Sequence, residues 1–177
     1  MKTLLAALAF STGLGLAVTA PLHAADAAKK AAPTPEVQMF DIGQTVLKMG
    51  LAKGVTPADA AEAMLSRAAE LNLKLVGRQN VGAEVSARGV KAPILEIFQF
   101  CDPDDAIKMV QFNTIYAAYM PCRIAMVEDA EGKVWLEMLN LDMIISAIPL
   151  PPELQAIAIG VNGAMLDVIT AGSTGEF

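Results

Sequence analysis

Two runs of strand-forming residues, Cys122 to Glu128 and Lys133 to Leu139, are separated only by Asp129-Ala130-Glu131-Gly132. A linker this short, ending in glycine, admits only an antiparallel hairpin. With a four-residue loop, Glu128 faces Lys133, Met126 faces Trp135 and Cys122 faces Leu139. The flanking segments decide what the hairpin packs against. Ile94 to Cys101 is dense in β-branched and aromatic residues, which suits a buried strand. Its alternation puts Leu95, Ile97, Gln99 and Cys101 on one face. Gln44 to Leu51 fits a first strand, and Leu73 to Val76 another that is closed by Gly77 and Arg78-Gln79-Asn80.

Helical signals lie between these strands. Thr56 is a capping residue, Pro57 suits the first helical position, and Asp59 complements the positive helix end. Ala61, Met64, Leu65, Ala68 and Leu71 then recur on one helical face. Asp102-Pro103-Asp104 ends the central strand and caps the next helix. Residues 82–92 fit either a short helix or a loop. Pro151 and Pro152 open a last helix to about Ala171, whose apolar face is Leu154, Ile157, Val161, Met165 and Val168. The expected fold is α+β: residues 37–177 form a single domain with a small mixed or antiparallel sheet packed on helices and a C-terminal helix.

The N-terminus reads as an address. Lys2 precedes an apolar stretch from Thr3 to Ala20, and Pro21-Leu22-His23-Ala24 resembles a cleavage region, the order of a secretory signal peptide. Cleavage after Ala24 predicts a mature chain starting near Ala25, in the periplasm or outside the cell. It removes Lys2 and so takes the net charge from −6 to −7. It also removes His23, the only histidine, and with it the commonest general base and metal ligand. Residues 25–36 lack large apolar side chains and contain Pro33 and Pro35, so they read as a disordered leader. An acidic chain is a poor nucleic-acid binder, because that affinity comes from neutralising phosphates. No stable membrane insertion is expected after cleavage.

Three pieces of the chain resemble the domain of unknown function 302 family. They are Phe100-Cys101-Asp102-Pro103, Met120-Pro121-Cys122-Arg123, and Val127-Glu128-Asp129 followed by Gly132-Lys133-Val134-Trp135-Leu136. The likeness covers roughly residues 45–142. It implies a small α+β fold, often dimeric, without an established general activity. The chain departs from the family pattern at Cys101, where glycine is usual, and at Cys122, where an apolar residue is usual.

No catalytic set emerges: G-x-S-x-G, phosphate-loop and dinucleotide motifs are absent. Cys101 and Cys122 admit two readings. One is structural, as a disulfide or as two buried thiols. A bridge closing about 22 residues contributes roughly 3 kcal/mol in the chain-entropy model. The other is a redox or cofactor thiol, although no C-x-x-C is present. Met120, Cys122, Met126, Met138 and Met143 crowd one stretch. Methionine is an adaptable core filler, but sulfur also suits Cu(I) or haem iron, with Cys122, Met120 and Met126 as candidates. Asp102, Asp104 and Asp105 read as helix caps, and Glu128, Asp129 and Glu131 as a solvated loop.

The sequence therefore supports a secreted or periplasmic non-enzymatic binding or accessory protein. The alternative is a periplasmic redox protein using Cys101 and Cys122, with haem or copper held by Cys and Met. Ala156, Gly160 and Ala164 form a small-residue stripe on the last helix. Few charges guard this helix, which predicts burial on more than one side and a homodimer.

Overall fold

The computed structural model describes residues 42–176; the signal peptide expected at 1–24 and the leader expected at 25–36 lie outside them. The described residues open with a 3₁₀ turn, Ile42–Thr45, and strand β1, Val46–Gly50. Helix α1, Pro57–Glu70, follows, then β2, Lys74–Asn80, and the short α2, Val81–Ser86. Next come β3, Leu95–Cys101, α3, Pro103–Phe112, and a 3₁₀ segment, Thr114–Tyr119. The hairpin β4, Cys122–Glu128, and β5, Val134–Leu139, leads to α4, Leu141–Ala147, and α5, Pro152–Thr174. The strands form one sheet in the order β1-β5-β4-β3-β2, every neighbouring pair antiparallel. The α+β class and the closing helix are as expected.

Helix α1 begins as its sequence dictates. The Asp59 backbone N–H donates to Thr56 Oγ1 at 3.2 Å, and the Thr56 N–H donates to Asp59 Oδ2 at 3.0 Å, a reciprocal cap. The Thr56 hydroxyl also donates to Asp59 Oδ2 at 2.7 Å, and that bond first, then the one from the Thr56 N–H, holds the Asp59 carboxyl below the ordinary range. The buried side of α1 is Ala60, Ala61, Ala63, Met64 and Ala68. Such small side chains let α5 lie close. The contact is closest at Gly172, where a Cβ would stand 2.5 Å from Met64 Cγ and 2.9 Å from Leu136 Cδ1. Between these helices and the sheet sit Phe98, Ile124, Leu136, Val168 and Ile169, all without solvent exposure.

The hairpin register is one residue away from the expected one. Gly132 has φ of 79°, the left-handed region open to glycine. Its N–H donates to the Asp129 carbonyl at 3.1 Å, while the Asp129 N–H donates to the Lys133 carbonyl at 2.9 Å. The loop is therefore three residues long, and Glu128 faces Val134, Met126 faces Leu136 and Ile124 faces Met138. A one-residue shift exchanges the faces of a strand. This one aligns Leu136 and Met138 with the core and puts Trp135 on the opposite face. In β3 the expected alternation holds, but the buried set is Glu96, Phe98 and Phe100.

Other boundaries move for local reasons. β2 does not stop at Gly77: a bulge between Leu75 and Gly77 absorbs one residue, and pairing with β3 continues to Asn80. Within 82–92 the helical alternative is realised as far as Ser86, with Asn80 Oδ1 accepting from the Ala83 N–H. Helix α4 has no counterpart in the sequence expectation, although Asn140 caps it. Helix α5 is buried on one side only within the chain. Ala156 and Gly160 are exposed, and nothing lies within 4 Å of a Cβ placed on Gly160 or Gly163.

Candidate functional site

The end of the sheet where β3 finishes and β4 starts is not filled by α1 and α5. It is roofed by α3, the 3₁₀ segment, α4 and the first turns of α5. Each element is fixed locally. Asp102 Oδ1 accepts from the backbone N–H groups of Asp104 and Asp105 and starts α3. Asn113 Oδ1 accepts from the Ile115 N–H and starts the 3₁₀ segment. The Met120–Pro121 bond that returns the chain to β4 is cis. Asn162 Nδ2 donates to Asp142 Oδ1 at 2.7 Å and ties α4 to α5.

Met109, Tyr116 and Leu154 form a separate buried cluster here, with Met120, Ile148, Leu150 and Ile157 packed on it. Between that cluster and the sheet end is a cavity of about 130 Å³, with Phe100, Cys101 and Cys122 in its sheet-side wall. Ile144 and Ile145 of α4 and Ala158 and Val161 of α5 complete the apolar lining. The volume is close to that of an engineered apolar cavity of about 150 Å³ that admits benzene.

Four sulfur-bearing residues line the cavity, Cys101 and Cys122 from the sheet side and Met109 and Met120 from the facing cluster. Cys122 lies directly across from Phe100 and shares its face of the sheet, whereas Cys101, the next residue along β3, belongs to the opposite face by alternation. Both cysteines are free thiols here. The Cys101 thiol donates to the Asp102 carbonyl at 3.5 Å. Burial pushes the Cys122 thiol up from its usual range, charge on Cys101 adds to this, and Arg123 opposes it. Cys101 is likewise raised, first by burial and then by Asp102.

Of the metal candidates read from sequence, Cys122 and Met120 both line the cavity, but Met126 does not. It lies four residues along β4, about 13 Å at strand rise, in the core opposite Leu136. Met138 also belongs to that core. Met109 was missed because its α3 position shows no sequence relation to the cysteines. No group of three or more His, Cys, Asp or Glu suited to a metal occurs among the described residues.

The carboxylates of the hairpin are not merely solvated. Asp129 Oδ2 accepts from Trp135 Nε1 at 2.7 Å, and Oδ1 accepts from the N–H groups of Glu131 and Lys133. The Trp135 bond first, then the backbone bond from Lys133, lowers the Asp129 carboxyl below its ordinary range. Lys133 Nζ and Lys48 Nζ lie 3.7 and 4.3 Å from the Trp135 ring centroid. Glu128 Oε2 accepts from the Ile94 N–H. These residues build the hairpin; they do not reach the cavity. A second feature escaped sequence reading: Glu96 is buried and accepts from Arg78 Nε at 2.7 Å, pinning edge strand β2 to β3.

The architecture is thus that of a two-layer α+β domain with a small apolar cavity at one end of an antiparallel sheet. The chain belongs to the family described as Domain of unknown function DUF302, which matches residues 47–172. The match extends beyond the hairpin region and takes in most of α5. The chain is similar to a solved structure described as an uncharacterized conserved protein DUF302 from Bacillus stearothermophilus. Identity is 14%, the TM-score is 0.58, and the alignment covers 72% of this chain and 97% of that one. That likeness is one of fold. No curated protein matches the chain.

Proposed function

We propose that this chain is a secreted or periplasmic, non-enzymatic binding protein whose ligand occupies the cavity at the β3–β4 end. The observation that carries the reading is the cavity itself: about 130 Å³ of space at a sheet end whose other side is tightly filled. Apolar walls with a few polar groups are the usual form of a small-ligand site. The raised thiols favour binding over thiol catalysis, since reactive cysteines have depressed pKa values and inert ones are buried.

Benzene, a single-ring apolar compound, tests the site. It should produce saturable NMR shifts at the Met109 and Met120 methyl groups and leave Met64, in the filled core, unmoved. Ala158→Phe, which places a ring in the cavity, should abolish the saturable shifts. Unsaturable shifts, or equal shifts at Met64, would remove the cavity as the ligand site.

The presence of both Cys101 and Cys122 in the cavity lining favours, as a second reading, a redox or metal role for these thiols. A charge-transfer or Soret band in protein purified from its secreting host would support it. Export is tested by intact mass: a mature chain starting near Ala25 is expected, and one that retains Met1 would end that part of the proposal. The homodimer is tested by sedimentation. The open Ala156–Gly160 surface supports a dimer that Gly160→Leu weakens, and a wild-type monomer at micromolar concentration would end it.

A further inference from the structure

We propose that the ligand of this cavity is an uncharged phenol, a single ring with one hydroxyl, and that the Tyr116 hydroxyl forms a hydrogen bond with that oxygen. The inference rests on the cavity being the ligand site and names the class of compound it takes. Three observations carry it. First, size and wall chemistry suit one ring. The space of about 130 Å³ is bordered by Phe100, Met109 and Met120. Methionine sulfur makes favourable contacts with aromatic rings, and the unbranched chain adapts to the shape of what it touches.

Second, Tyr116 carries a polar group that the protein leaves unused. The residue lines the cavity and is only 9% exposed. Its ring belongs to the apolar cluster with Met109 and Leu154, and its backbone N–H donates to the Asn113 carbonyl at 3.2 Å. Among the described residues no group pairs with its hydroxyl, yet no fully enclosed side-chain oxygen or nitrogen lacks a partner. The hydroxyl therefore borders space that a small molecule can reach. A buried tyrosine usually finds a partner for its O–H. In an otherwise apolar pocket one such group fixes a ligand's orientation and supplies specificity. Tyr119 also lines the cavity, but it is exposed and open to solvent.

Third, the charge of the lining excludes an anion. Among the described residues its charged members are Asp102 and Asp105, both acidic. A carboxylate or phosphate guest would be desolvated beside like charge with no counter-ion, which is costly. A cation gains little, because both carboxylates are engaged. Asp102 Oδ1 accepts from two backbone N–H groups of α3, and Asp105 pairs with Lys108 at 3.0 Å. A neutral guest remains, and one hydroxyl on the ligand answers the one on Tyr116.

The test titrates the protein at pH 7 with benzene, phenol, benzoate and benzylamine, read from the Met109 and Met120 methyl shifts. At this pH phenol is neutral, whereas benzoate and benzylamine are charged. Phenol should saturate, and benzoate should bind at least about 100-fold more weakly. Tyr116→Phe removes an oxygen that has no protein partner and so keeps the fold. In that variant benzene affinity should hold or improve, while the phenol-to-benzene affinity ratio should fall about 10-fold. Tyr119→Phe should leave the ratio unchanged. A ratio that Tyr116→Phe does not lower overturns the inference, and so does tighter binding of benzoate or benzylamine than of phenol in the wild type. If benzene still saturates in either case, only the phenol assignment fails. If neither benzene nor phenol saturates, the cavity reading falls with it.

Discussion

The two ends of this sheet are built differently from similar materials. Beneath α1 and the C-terminal half of α5, Phe98, Ile124, Leu136, Val168 and Ile169 are fully enclosed, and at Gly172 even a methyl group would not fit. Beneath α3, α4 and the N-terminal half of α5, methionines, isoleucines and a tyrosine leave a cavity of about 130 Å³. Close packing is the rule for interiors, and unfilled space forfeits contact energy. The filled end therefore carries the stability, while the hollow end forgoes some of it and presents a site. The short, separately capped elements around the cavity fit this division, because none is long enough to be stable alone.

Truncation should separate the ends most clearly. Leu136→Ala removes a fully enclosed side chain and should cost about 2–5 kcal/mol. Ile144→Ala removes a half-buried side chain beside space that is already empty, and should cost only about 1 kcal/mol. Urea denaturation measures both; equal losses would dissolve the distinction. Enlargement should reverse the pattern. Ala63→Leu, at a site with no exposure, should cost about 1–3 kcal/mol by overpacking. Ala158→Leu should leave the denaturation midpoint nearly unchanged while weakening benzene binding. A large loss from Ala158→Leu would mean that the hollow end tolerates no filling.

The smallest effect is a pH slope. Burial raises the Cys122 thiol above its usual value of 9.0, so the folded state favours the protonated form. Its stabilising contribution is complete below about pH 9 and is lost as pH rises through the folded value. Stability should fall in that alkaline window, and Cys122→Ala should flatten the fall. An identical slope in the variant would place the titrating group elsewhere.

Local chemistry made much of this molecule legible in sequence. Thr56-Pro57-Ala58-Asp59 specifies a helix start, Asp102-Pro103-Asp104 a strand end and a cap, and Asp129 to Gly132 a tight turn. Each acts within three or four residues, where side chains meet their own backbone whatever the rest of the chain does. The α+β class and the α5 apolar face follow from the same kind of signal. The hairpin register was harder, because it turns on the left-handed conformation of Gly132, which shortens the loop by one residue and exchanges the faces of β5 relative to β4. Helix α4 was hidden because its seven residues are too short a run to display a helical period.

The site lay beyond sequence reading for a different reason. Cys101, Cys122 and Met120 drew notice by residue type, but type alone also admitted Met126 and left out Met109. Which sulfur-bearing residues line the cavity depends on pairing β3 with β4 and folding α3 back over their junction, contacts between residues far apart in the chain. A void has still less of a signature, since its volume is what remains after α3, α4 and α5 have packed. The sequence by itself determined most of the elements, their caps and the family likeness; the tertiary structure alone decided the register, the set of residues that line the cavity and the cavity itself, because these arise from non-local packing that no short stretch of residues encodes.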